Sequence, residues 1–316
     1  MDTVKHNPTQ RVCIVMAVYN GAPDLPEQLA SFAAQSHADW QLIASDDGSR
    51  DDSGAVIRSF AAHQPQQIEV VDGPRQGFAA NFLSLIARAP EGAGWLALAD
   101  QDDVWLPDRL ARGIAALQAL PEGPALYCSR TWITDAQLAH PRLSADFSKP
   151  PGFHNALVQN IAAGNTILLN RAALDLARTA AARVPNPGDL PAHDWWLYQL
   201  ITGAGGRVIR DTEPTLYYRQ HSANQIGAND GWRARMVRIA MVLDGRFKAW
   251  NAANIIALTA ARPVLTDSNR ALLETFIDLR RRPLPLRLWR FARSGIRRQS
   301  LYGQIAMWVA LVLGRF

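Results

Sequence analysis

Three segments read as strands, and the first, a continuous apolar run rich in β-branched residues, as one buried on both faces. They are Val12–Val18, Gln41–Ser45 and Trp95–Ala99, with Ile68–Val71 and Ala125–Ser129 as shorter candidates. Between the first two, Leu25, Leu29, Phe32 and Ala33 recur at helical spacing, and Pro26 and Glu27 suit a helix's first turn. Strand, helix and strand in that order make a βαβ unit, and the same alternation continues to about residue 225. This predicts an α/β fold. From Trp232 onward the spacing turns helical, through Met236, Val237, Ala240 and Leu243, then Ile255, Ile256 and Ala260, then Leu272, Leu273, Phe276 and Leu279. Thr266, Asp267 and Ser268 offer caps for the last of these helices. Two proline-rich stretches, 141–153 and 184–191, read as loops.

The strand runs end in polar turns rich in acid. Trp95–Ala99 leads directly into Asp100, Asp102 and Asp103. Carboxylates this close repel one another at neutral pH unless they face water or a cation, and hard oxygen ligands select Mg²⁺ or Mn²⁺. The second strand ends in Asp46 and Asp47, with Asp51 and Asp52 beyond, and the first in Tyr19-Asn20-Gly21. The carboxyl ends of parallel strands border the crevice where open α/β sheets bind ligands.

With 316 residues, 48% of them hydrophobic, the chain is long enough for one large domain and an appendage. Cys13 and Cys128 both fall in apolar strand runs, as small buried hydrophobes do, which argues against a disulfide framework or a zinc site. The first ten residues carry no apolar segment, so no secretory signal is expected and the chain is expected to stay in the cytoplasm. The net charge of +5 is unevenly spread, since residues 280–316 hold nine Arg and no Asp, Glu or Lys. There Leu284, Leu288, Phe291, Ala292 and Ile296 share one helical face, Arg290, Arg293 and Arg297 the other, with Trp289 at the border. A helix of this kind suits the inner face of an anionic membrane, where each Arg contributes about 1 kcal/mol. Packing on the catalytic domain or on a second subunit is the alternative. The uncharged run Ile305–Leu313 is shorter than the roughly 20 residues a spanning helix needs. Nucleic acid is not expected as a partner, because the arginines are interleaved with long apolar side chains.

Eight motifs in order give the chain a resemblance to family-2 glycosyltransferases of the GT-A fold, in their rhamnosyltransferase-like group. They are Ala17-Val18-Tyr19-Asn20-Gly21, Glu27-Gln28-Leu29, Ser45-Asp46-Asp47-Gly48-Ser49, Asn81-Phe82, Ala99-Asp100-Gln101-Asp102-Asp103-Val104-Trp105, Gly164-Asn165-Thr166, His193-Asp194-Trp195-Trp196 and Tyr218-Arg219-Gln220-His221-Ser222-Ala223-Asn224. Together they cover residues 11 to about 227. The resemblance implies a Rossmann-like, mostly parallel sheet flanked by helices over residues 1–227, and a C-terminal helical region over 228–316.

It also implies roles. Ala17, Tyr19, Asn20, Asp47 and Asn81 would border a nucleotide sugar, with Arg75, Gln76 and Gly77 beside them. Asp46 would either join that contact or cap its own turn. Asp100 and Gln101 would meet the donor, and Asp100 and Asp102 would hold Mn²⁺ or Mg²⁺. Asp103 would meet sugar or acceptor, while Trp105 would pack. Asp194 would be the base that deprotonates the acceptor hydroxyl, giving inversion, although a helix cap is an equal alternative. His193 would be structural or line the acceptor. Arg219 would meet the diphosphate, with His221 there or on the metal. The expected function is transfer of a sugar, with L-rhamnose from dTDP-L-rhamnose as the donor the resemblance implies, to a cell-surface polysaccharide or lipid-linked oligosaccharide. The competing expectations are an inactive glycan-binding or assembly protein, and a nucleotidyltransferase, whose Gly-rich, basic phosphate loop is not found after the first strand.

Overall fold

The computed structural model describes residues 10–220 and 245–316. His221, the helical stretch Trp232–Leu243 and the division at 227/228 lie outside the described residues. In chain order the strands are β1 (Val12–Val18), β2 (Trp40–Asp46), β3 (Ile68–Asp72), β4 (Trp95–Ala99), β5 (Val104–Trp105), β6 (Ala125–Thr134), β7 (Arg142–Leu143), β8 (Leu168–Asn170) and β9 (Arg207–Arg219). The helices are α1 (Leu25–Ala33), α2 (Ser53–Ala61), α3 (Phe78–Arg88), α4 (Arg109–Gln118), α5 (Phe153–Ala156), α6 (Arg171–Ala181), α7 (His193–Gly203), α8 (Arg246–Ala260), α9 (Asp267–Leu279), α10 (Leu284–Arg293) and α11 (Leu301–Val312).

Among the described residues the strands form one sheet in the order β3-β2-β1-β4-β8-β6-β9-β5, with β7 beside β6. The long ladders are parallel: β1 runs with β2 and β4, β2 with β3, and β6 with β9. Short antiparallel pairings of β8 join β4 to β6. The uninterrupted apolar runs have the expected cause, since successive side chains of a strand point to opposite faces and both faces are covered. Val12, Ile14, Met16 and Val18 pack with α1, α2 and α4, through Leu29, Phe32, Ile57 and Ile114. Cys13 and Val15 pack on the other side with α3, α6 and α7, through Phe82, Leu174 and Leu197.

Two features deliver the polar turns to one place. The register of β6 against β9 shifts on either side of Arg130, where Pro214 sits opposite. Proline has no N–H to give the ladder and is accommodated at such an irregularity. Beyond it, Leu216 and Tyr217 pair antiparallel with Val104 and Trp105, which anchors the acidic turn that precedes β5.

A third core joins the C-terminal helices to this body, with Phe153, Val158 and Trp195 meeting Phe276, Phe291, Met307 and Phe316. Here the structure narrows the apolar face expected to meet a membrane. In α10, Phe291 is buried and Leu288 partly so, both packed on protein, and Ile296 just beyond is buried too. The apolar face read as lipid-facing is therefore largely covered by the chain itself, while Leu284 and Trp289 stay exposed. The exposed apolar residues gather instead on α11. No helix among the described residues is long and apolar enough to cross a membrane.

Candidate active site

A cleft of about 1800 Å³ opens beyond the carboxyl ends of β1, β2 and β4 and extends to the N-terminus of α7 and to α11. Ala17, Tyr19, Asn20, Asp47, Asn81, Asp100, Gln101, Asp102 and Asp194 all line it, so most of the residues read from the sequence come together.

The loop after β1 is held by side chains from elsewhere. Gln101 acts as a strand mate for Tyr19, its Oε1 accepting from the Tyr19 amide at 2.8 Å and its Nε2 donating to the Tyr19 carbonyl at 3.1 Å. Asn20 sits at φ 50°, donates from its amide to Ser49 Oγ and accepts at Oδ1 from the Arg50 amide. Asp47 is gripped by the loop before α3, accepting from the amides of Arg75 at 2.6 Å and Gly77 at 3.0 Å. Asn81 is buried, and its Nδ2 donates to the Ser45 carbonyl while its Oδ1 has no protein partner. Asp46 takes the capping alternative: its Oδ1 accepts from the amides of Gly48 and Ser49, and it is not part of the cleft wall.

The second acidic turn divides its carboxylates between cleft and core. Asp100 and Asp102 face the cleft. Burial first, then the charges of Asp102 and Asp194, push the Asp100 carboxyl up to about 7. Asp103 points inward, fully buried, and accepts from Asn165 Nδ2 at 2.7 Å. Burial, reinforced by Asp102 and Asp100, holds it well above the ordinary carboxylate range. Asp103 is therefore not part of the cleft wall. Trp105 packs as expected, edge-on to Phe32 with ring centroids 4.6 Å apart.

Asp194 lies in the first turn of α7, at the cleft surface. Its Oδ1 accepts from the Trp195 amide at 2.6 Å and its Oδ2 from the Gly164 amide at 3.0 Å. These bonds favour the anion, but burial outweighs them and lifts the carboxyl to about 6. His193 beside it stacks on Phe82 at 3.8 Å, with both ring nitrogens lacking a protein partner. Burial drives it down to about 3, so it stays neutral.

Arg219 does not reach the cleft. Its guanidinium donates to the carbonyls of Asp102 and Ala136 and to Glu27, with Asp24 at 3.5 Å. It ties the end of β9 to α1 and to the acidic turn, away from the place expected for a contact with diphosphate. The sequence reading missed Arg109, a buried guanidinium 3.4 Å above the Trp105 ring that donates to the carbonyls of Leu98 and Asn165. Its positive charge sits behind Asp100 and Asp103 and eases their ionisation. A single Arg opening an amphipathic helix carries no signal of this. Gly164 and Asn165 were visible as a motif without a role, and they turn out to hold Asp194 and Asp103.

Asp100 and Asp102 supply hard oxygens and mutual repulsion that a cation would relieve. No group of three His, Cys, Asp or Glu among the described residues is arranged to hold an ion. The pair has the hard oxygens that suit a divalent ion taking its remaining ligands from outside these two side chains.

Residues 13–174, just over half of the chain, match the model of Glycosyl transferase family 2. The chain belongs to this family. Like other members it is a glycosyltransferase, and its sheet and flanking helices are those of the GT-A type. The dTDP-rhamnosyl transferase RfbG of Shigella flexneri is 27% identical over 231 residues, 72% of this glycosyltransferase and 78% of RfbG. A UDP-Glc:alpha-D-GlcNAc-diphosphoundecaprenol beta-1,3-glucosyltransferase of Escherichia coli, WfgD, is 24% identical over 106 residues, 34% of this chain and 40% of WfgD. Among solved structures, S. aureus TarS in complex with UDP-GlcNAc superposes with a TM-score of 0.53 at 12% identity, over 84% of this chain and 86% of the other, a likeness of fold.

Proposed function

We propose that this glycosyltransferase moves L-rhamnose from dTDP-L-rhamnose, with inversion and with Mg²⁺ or Mn²⁺ present, to a hydroxyl of a lipid-linked oligosaccharide or growing cell-surface polysaccharide at the inner face of the membrane. The observation that carries it is Asp194, a carboxylate at the cleft surface, oriented by two backbone amides and raised to about 6, across a cleft that also holds Asp100 and Asp102. A base with such a value is largely ionised near neutral pH yet basic enough to take a proton. The donor choice draws on the name of RfbG, and the lipid-linked acceptor on that of WfgD.

The chain's own residues divide the work. Asp47, steadied by the Arg75 and Gly77 amides, accepts from the base or ribose. Asn81 offers its unpartnered Oδ1 to the donor. Asp194 takes the proton from the acceptor hydroxyl as that oxygen bonds to the anomeric carbon and the diphosphate departs from the opposite face. A bound divalent ion would neutralise charge on the departing diphosphate, held by Asp100 and Asp102. Neutral His193 and Phe82 form an unreactive wall beside Asp194. The division at 227/228 into a catalytic domain and a helical region is part of the same proposal.

Two results are expected. Purified protein with Mn²⁺ should release nucleotide from dTDP-L-rhamnose faster than from UDP-glucose, UDP-N-acetylglucosamine or GDP-mannose; equal silence on all four donors would defeat the donor assignment. In the second, Gly21→Ala should weaken dTDP binding. A Cβ there would stand 2.4 Å from Gln101 Cδ and push the amide off Tyr19. Losing two neutral hydrogen bonds of about 0.5–1.5 kcal/mol each predicts a loss of about tenfold by calorimetry. Unchanged affinity would show that the Tyr19 loop does not touch the nucleotide.

A further inference from the structure

We propose that the exposed face of α11 seats the hydrocarbon chain of a lipid-diphosphate acceptor, so that the acceptor enters the cleft along this helix. The inference rests on the lipid-linked reading of the acceptor given above.

The first observation is size. Small-molecule sites occupy about 300–1,000 Å³, and the cleft measures about 1800 Å³. A nucleotide sugar at the acidic turns leaves a large remainder, and that remainder is walled by α11 through Tyr302, Ile305, Ala306 and Val309. The second is the character of the helix. Met307 and Leu311 bury one side in the third core and, with the buried Ala310, hold α11 in place. The opposite side is apolar and open, with Tyr302 69%, Ile305 52%, Val309 47% and Val312 52% exposed. Spacings of three and four residues put these on one stripe, which starts in the cleft wall and continues past it to Val312 and Leu313. An apolar track leaving a catalytic cleft serves a molecule with a polar end at the chemistry and an apolar end outside.

Charge selects the headgroup. Arg298 lines the same cleft, its guanidinium 5.7 Å from the Phe247 ring centroid. Residues 280–316 carry nine Arg and no acid, and with Asp278 pairing Arg282 and Arg290 an excess of positive charge is left, so the approach to α11 favours a diphosphate over a neutral glycolipid. Hydrocarbon on the stripe, diphosphate near Arg298 and the acceptor sugar toward Asp194 form one continuous path.

The test is calorimetric titration of farnesyl diphosphate, below its micellar concentration, into the full chain saturated with dTDP and Mg²⁺ so that the donor site is filled. Inorganic pyrophosphate is the companion titrant. The parent should bind farnesyl diphosphate and bind pyrophosphate far more weakly. Ile305→Glu with Val309→Glu should lower the farnesyl diphosphate affinity by about tenfold or more, since two apolar contacts give way to charge. Arg298→Gln should lower it several-fold, and dTDP affinity should match the parent in both variants. The proposal is overturned if the parent does not bind farnesyl diphosphate, or if the double variant binds it as the parent does. It is equally overturned if that variant loses only co-sedimentation with anionic vesicles, which makes the stripe a bilayer contact, or only self-association, which makes it a subunit contact. A parent that binds no dTDP would instead defeat the donor reading, a distinguishable failure.

Discussion

Asp194→Asn should abolish transfer while leaving dTDP binding at parental strength. The amide keeps an oxygen for the Gly164 amide but cannot accept the acceptor's proton, so kcat should fall by about 10²–10⁴-fold with little change in donor KM. In the parent, kcat should climb through a limb centred near pH 6 as the carboxyl loses its proton, and the residual activity of the variant should lack that limb. The same shift has a sign for stability. The folded-state value lies above the ordinary one, so the native state holds this proton more tightly than the unfolded chain does, and the Asp194 contribution falls as pH rises between about 4 and about 6. The melting temperature of Asp194→Asn relative to the parent should therefore rise across that window. A variant that keeps turnover within a few-fold of the parent would remove Asp194 from the chemistry and leave it as a cap of α7.

Asp102→Asn carries the second large effect. Losing one of two cleft-facing carboxylates should cost about 10²–10³-fold in kcat, the range for removing one group that stabilises charge developing in a transition state. Mn²⁺ binding in the presence of dTDP, followed by electron paramagnetic resonance, should weaken in parallel, a readout independent of turnover. Asp103→Asn makes the contrast. Asp103 is buried against Asn165 and outside the cleft, so its replacement should leave Mn²⁺ affinity unaltered. Equal loss of Mn²⁺ in both variants would mean that the turn as a whole, and not its cleft-facing oxygens, is what the ion needs.

What could be read from the chain follows from how each signal arises. β1, β2 and β4 were legible because burial on both faces forces unbroken apolar runs, and the acidic turns because they end those runs. Direction was not legible. Within Asp100-Gln101-Asp102-Asp103 a one-residue step decides between cleft and core, and only the position of Asn165 and Arg109 reveals which way Asp103 turns. Arg219 illustrates the limit for long side chains, whose charged end lies several ångströms from the backbone and here reaches α1, each guanidinium nitrogen bonded to protein. Amphipathy in α10 marked an apolar face correctly but not its cover, which is the third core, with Trp308 and Phe316 set against Phe291. The motif at His193-Asp194 pointed to Asp194, while the amides that orient it, one from a distant loop, required the folded chain.

The Arg219 contacts limit how this enzyme can be recombined with its relatives. The family match ends at residue 174, and a designer exchanging donor preference would cut there. Yet the acidic turn is held by the last residue of β9, which also grasps α1 and the carbonyl after β6. Donor recognition is thus not a detachable cassette. A chimera keeps its turn in register only when Glu27, the turn and the end of β9 come from the same parent.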